Sequence, residues 1–161
     1  MLQDLKDIND NFLDIIRERN KMPRPMWFLT KLNGEDHEIV GYPMESEIED
    51  VLSLAGTLLK KNGGSAVIMA LMVRRKVVDN QIEAEKLIES VEDDESKLED
   101  LEQAILYAVF EAPFKTSRLF EQFFACTPDG PAIGKFEEFI TDKAVPFSEF
   151  LPIIKEAYEN S

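Results

Sequence analysis

The sequence predicts an α+β fold, with a mainly antiparallel sheet of about four to six strands packed with about three main helices. The sheet would include an N-terminal β-hairpin, and an acidic, partly helical excursion would leave the core. Three observations predict this. Apolar residues recur at helical spacing at the two ends and once in between, short apolar runs bounded by Gly, Pro or Asn supply strands, and the two kinds follow the order helix, hairpin, helix, strand, excursion, further strands, helix. A chain of 161 residues, 44% of them hydrophobic, has the size and apolar content of one ordinary domain. Residues 1–161 are therefore expected as a single domain, with the excursion at about 79–103.

The first helix follows from Leu5, Ile8, Phe12, Ile15 and Ile16, which gather on one face. Asp4 and Asp7 come early and Arg17, Arg19 and Lys21 late, complementing the helix dipole, and Pro23 and Pro25 end it. "MWFLTKLNGEDHEIVGY" then reads as two strands about Asn33-Gly34, a dipeptide suited to a tight type I′ turn. Counting outward from that turn pairs Lys31 with Asp36, Thr30 with His37 and Phe28 with Ile39. "SEIEDVLSLAGTLLKKNGG" carries capping-box spacing at Ser46 and Glu49, an apolar face through Ile48, Val51, Leu52, Ala55, Leu58 and Leu59, and a left-handed C-cap signal at Asn62-Gly63. "SAVIMALMVRRKVV" has no polar side before Arg74, as a strand buried on both faces requires.

"AILYAVFEAPF" reads as a second buried strand and "RLFEQFFAC" as its hairpin partner ahead of the "TPDGP" turn. Leu119, Phe120, Phe123 and Phe124 fit a short helix equally well, so residues 117–140 stay open between strand and helix, with strand preferred for "AIGKFEEFI". The final segment is expected to be a helix starting near Ser148, with Pro152 tolerated in its first turn.

Charge is distributed unevenly. The chain carries a formal charge of -14, and residues 79–102 hold eleven acids against Lys86 and Lys97, nine of those fourteen net charges. Such a balance repels nucleic-acid phosphates and anionic membranes, so neither direct nucleic-acid binding nor membrane binding is expected. The longest apolar run, Ala66–Val73, is far below the roughly 20 residues that span a bilayer. One cysteine, Cys126, permits no intramolecular disulfide, and the N-terminus lacks a signal-peptide pattern, so a cytoplasmic protein is expected.

Within the excursion, Ala84, Leu87, Ile88 and Val91 have helical spacing, and Ser96 with Glu99 repeats a capping-box pattern before Leu98, Leu101 and Ile105. Two short helical pieces broken around "EDDE" are expected. Three roles compete for them: a solvated connection, an arm that docks on a basic partner, and a segment folded back on Arg74, Arg75 and Lys76.

No motif brings catalytic chemistry. His37 sits among Glu35, Asp36 and Glu38, but strand alternation turns Asp36 and Glu38 to the opposite side from His37. Cys126 follows an aromatic run and lacks an adjacent base, "EDDE" lacks the turn glycine of an EF-hand loop, and "NGGS" at 62–65 lacks a phosphate loop's Gly-Lys-Ser ending. No cofactor or metal is expected. Nine phenylalanines crowd the segment from Phe110 to Phe150, more than one small sheet face hides.

These features point to a non-catalytic, cytoplasmic protein-interaction module. Its partner would be a protein with a basic surface, or a second copy in a homodimer. The partner-binding residues are expected to be Glu89, Glu92, Asp93, Asp94, Glu95, Glu99 and Asp100 on an acidic arm and Trp27, Phe120, Phe123 and Phe124 on an aromatic face. An inhibitor or adaptor of a nucleic-acid-handling protein, such as a phage anti-defence factor, is a concrete form of this. The alternatives are a small enzyme or ligand-binding domain with His37 and Glu111 converging in a pocket, and a structural homo-oligomer.

Overall fold

A computed structural model describes residues 2–33, 36–75, 80–95, 102–139 and 147–161. Helix α1 (Leu2–Arg19) is followed by β1 (Met26–Asn33), β2 (Asp36–Pro43), α2 (Ile48–Asn62), β3 (Gly64–Arg75), α3 (Gln81–Asp93), β4 (Glu102–Glu111), β5 (Ser117–Thr127), β6 (Gly130–Phe139) and α4 (Leu151–Glu159). The six strands form one sheet in the order β2-β1-β3-β4-β5-β6, every neighbouring pair antiparallel. This is the α+β architecture the sequence predicts, and the open segment 117–139 resolves into two strands. Ten consecutive pairings with β4, from Ala66–Glu111 to Arg75–Glu102, make β3 a central strand.

Apolar patterning on β3 decides the layering. Residues Ala66 to Ala70 have no exposed surface, so both faces of the sheet must be covered. Val67 and Met69 face a cluster with Trp27, Leu29, Ala108, Phe110 and residues of α2 and α4, while Ile68 and Ala70 face one with Tyr107, Val109, Phe120 and Phe124 beneath α1. Helix α1 buries Leu5, Ile8, Phe12, Leu13 and Ile16, so Leu13 takes the core place expected of Ile15. On the other face α2 and α4 approach closely at Gly56, where an added Cβ would stand 2.6 Å from the Ile154 carbonyl oxygen and 2.9 Å from the Ala157 Cβ. The left-handed C-cap expected near the end of α2 falls at Gly63, φ 68°.

Two local expectations are corrected. Asn33 pairs with Asp36, so the hairpin register moves by two residues: Lys31 faces Glu38, Thr30 faces Ile39, and Phe28 faces Gly41. The observed register seats the Phe28 ring over a residue without a side chain, where an added Cβ would be 2.9 Å from its Cε1, and lets the ring meet Phe12 edge-on. Lys31 consequently pairs with Glu38 at 3.7 Å. The turn residues 34 and 35 lie outside the described residues. The capping box of α2 does not form: the N-cap is Glu47, with no side-chain cap bond, and Glu49 and Asp50 in the first turn meet the helix dipole instead.

A buried polar chain crosses the α1 face. Tyr107 donates its hydroxyl proton to Asn9 Oδ1 at 2.8 Å, and Asn9 Nδ2 donates to Gln122 Oε1 at 2.9 Å. Gln122 Nε2 then donates to the carbonyls of Phe123, Gly134 and Lys135, the nearest at 2.8 Å. Pairing of Phe124 with Ile133 and of Gln122 with Phe136 leaves one extra residue on β6, a bulge at Gly134-Lys135. The Gln122 amide thus serves strand carbonyls at the bulge. Burial, with Asp10 adding to it, holds the Tyr107 phenol far above its usual range, so it remains a donor.

Two substitutions test this packing in urea unfolding. Gly56→Ala forces α2 from α4 and should cost about 1–3 kcal/mol. Gln122→Leu strands the Asn9 amide and the carbonyls at the bulge and should cost about 2–3 kcal/mol, against near-neutral behaviour if that network contributed nothing.

Candidate functional site

Acidic residues are concentrated on α3, which bridges the end of β3 and the start of β4. Asn80 caps it, its Oδ1 accepting from the Glu83 amide at 3.0 Å, and Gln81 Nε2 donates to Glu85 Oε1 at 3.2 Å one turn on. The helix ends at Asp94, whose amide donates to the Ser90 carbonyl. This is the first helical piece expected in the excursion. The second falls outside the described residues, as do Glu99 and Asp100. None of the residues of α3 is buried. Ala84, Leu87 and Val91 are half-buried, whereas Glu89, Glu92, Asp93, Asp94 and Glu95 are exposed.

The charge on α3 runs against helix stability. A helix favours cations at its C-terminal end, yet the last turn has no basic residue and Glu92, Asp93, Asp94 and Glu95 gather there. Each misplaced carboxylate opposes the helix by up to about 0.3–1 kcal/mol before salt screening.

At the same end of the sheet lies an open cleft of about 1060 Å³. Arg74, one residue before the end of β3, and Glu102, the first residue of β4, line it together with Gln103, Phe123, Cys126 and Lys135. Lys135 Nζ stands 5.9 Å from the centre of the Phe123 ring, and Gln103 Oε1 accepts the Cys126 amide at 2.8 Å. Burial pushes the Cys126 thiol up, against the pull of Arg74, which leaves it poorly nucleophilic.

The expected aromatic face is not assembled. Trp27, Phe120 and Phe124 are each about 4% exposed and belong to the two cores. Trp27 stacks on Tyr42 at 4.5 Å, Phe120 stacks on Phe136 at 5.8 Å, and Phe124 lies beneath α1. Covering both sheet faces consumes these rings. Phe123 remains half-buried at the cleft, while among the described residues the exposed aromatic side chains are Phe136 and Phe139 on β6.

His37 and the groups considered for it are not brought together along the backbone. Its position on β2 is four strands from Cys126 on β5 and three from Glu111 on β4, roughly 19 and 14 Å at about 4.8 Å per strand. The His37 side chain is outside the described residues. Among the described residues there is no group of three or more His, Cys, Asp or Glu placed to hold a metal ion. No helix among them is long and apolar enough to cross a membrane.

Sequence reasoning missed the clamp between β5 and β6. Arg118 Nε and Nη2 donate to the two Glu138 carboxylate oxygens at 2.8 and 2.9 Å, and the guanidinium lies 5.0 Å from the centre of the Phe120 ring. The signal was present only as Arg118 and Glu138 on strands joined by a tight turn. Comparison with protein-family models, with curated proteins and with solved structures returns no match to this chain.

Glu138 has a depressed pKa, because Arg118 bonds its ionised form. It therefore adds stability above the ordinary glutamate pKa of about 4.3, and that stability is lost as pH falls through the lower folded value. The difference in urea midpoint between the native chain and Glu138→Gln should be largest near neutrality and shrink below about pH 4. An unchanged difference across that range would rule out the ion pair as its source.

Proposed function

We propose that this protein is a non-catalytic protein-interaction module of the cytoplasm, which engages a partner with a basic surface through the acidic segment that begins with α3. One observation carries it: a helix with no buried residue keeps a row of exposed acids at the end where the dipole disfavours them. A cationic partner surface is the setting in which acids at that end of a helix become favourable. Attraction of this kind mainly raises association rate and selects among partners. An inhibitor or adaptor that occupies the basic groove of a nucleic-acid-handling protein, a phage anti-defence factor among them, fits that electrostatic description.

Capture from lysate of the source cells tests this with the intact chain and a variant carrying Glu89→Gln, Glu92→Gln, Asp93→Asn, Asp94→Asn and Glu95→Gln. A partner should be retained by the intact chain at low salt and lost both at high salt and with the variant. The variant should unfold at the same or a higher urea concentration, since it relieves repulsion at the helix end. Identical partners for both chains would reduce the segment to a solvated connection and refute the proposal.

A further inference from the structure

Resting on that interaction reading, we infer that α3 docks lengthwise in a groove of a protein partner whose floor is cationic and is flanked by two apolar pockets, with Ile82 and Ile88 as the anchors. These are the two most exposed large hydrophobic residues among those described, at 65% and 57%. Both lie on the most acidic helix. A solvated connection has no use for them, and helical geometry shows what they share. Six residues apart, they stand about 9 Å apart along the axis and roughly 120° apart around it. Glu85, Glu89 and Glu92 fall within the arc between them, as does Gln81, while Ala84, Leu87 and Val91 take the opposite side, where the chain half-covers them.

The outward surface of α3 is thus an acidic ridge flanked by two isoleucines. Its occupant follows from charge. A second copy would set acids against acids, and nucleic acid or an anionic membrane carries the same sign as the ridge. A protein groove with Lys or Arg along its floor and an apolar pocket on each side, the two pockets offset by about 9 Å along the helix axis, satisfies both components for a helix laid into it. The isoleucines would set affinity and position, and the acids the rate of encounter and the choice of partner.

Photo-crosslinking of the full chain tests this, with a photoreactive residue in place of Gln81 and the lysate of the source cells as probe. Three chains are compared: the otherwise native one, one carrying Ile82→Ser and Ile88→Ser, and one carrying Glu85→Gln, Glu89→Gln and Glu92→Gln. Equal urea midpoints would establish that all three are folded. One discrete protein adduct, reduced about tenfold or more by the isoleucine pair and also lost with the glutamate set, is the expected result. An adduct lost only with the glutamates overturns the groove while leaving the acidic-arm reading intact. Loss with the isoleucines alone overturns the cationic floor, and absence of any adduct overturns both the groove and the reading beneath it.

Discussion

Everything in this fold depends on the need to keep β3 dry on both sides. A strand whose residues Ala66 to Ala70 are all apolar cannot lie at a sheet edge or face water on one side without exposing a continuous hydrophobic surface. The requirement places β1 and β4 beside it, α1 over one face and α2 with α4 over the other. It also explains the fate of the aromatic residues. Trp27, Phe120 and Phe124 are core because two faces need filling, and counting phenylalanines against a single face overestimates what is left for the surface.

The polar chain from Tyr107 through Asn9 to Gln122 solves a second problem, the finish of the sheet at β6. Bulges and charges at an edge discourage pairing with another chain, and here Gly134-Lys135 supply both. A bulge loosens the ladder, and the Gln122 amide answers it by donating to the carbonyls of both bulge residues. Since Asn9 lies on α1, the same contact fixes the helix against the outer strands. At Gly134 an added Cβ would stand 2.9 Å from the Phe123 Cβ, so the bulge also has a steric reason for its glycine.

Legibility in the sequence tracks how local the determining interactions are. The apolar face of α2, the Gly63 cap and the double-sided β3 depend on neighbours a few residues away, and each is readable from spacing, whereas the final helix, expected from near Ser148, begins as an α-helix at Leu151 after a 3-10 turn over Ser148–Phe150. Hairpin register was misjudged because Asn33-Gly34 fits a tight turn by itself, whereas the deciding fit of Phe28 over Gly41 and against Phe12 involves another element. Asn9 and Gln122 stand 113 positions apart, and their partnership was hidden. Their signal was a polar residue four positions after Leu5 on the apolar face of α1, and another within "LFEQFF". Of the candidate surface, the location of the charge and the helical excursion that carries it were legible; that Ile88 is exposed while Ala84, Leu87 and Val91 are half-buried was not, since all four share helical spacing.

The long connection between β3 and β4 joins two strands that pair directly at Arg75 and Glu102, the very residues where it departs and returns. Topologically it is a hairpin loop grown large. Because closing such a loop costs only about 0.6 kcal/mol for each doubling of its length, the sheet is nearly indifferent to how many residues the loop holds. The domain is in this sense a socket: the inserted cassette can lengthen, shorten or change character while the strands that carry it keep their register.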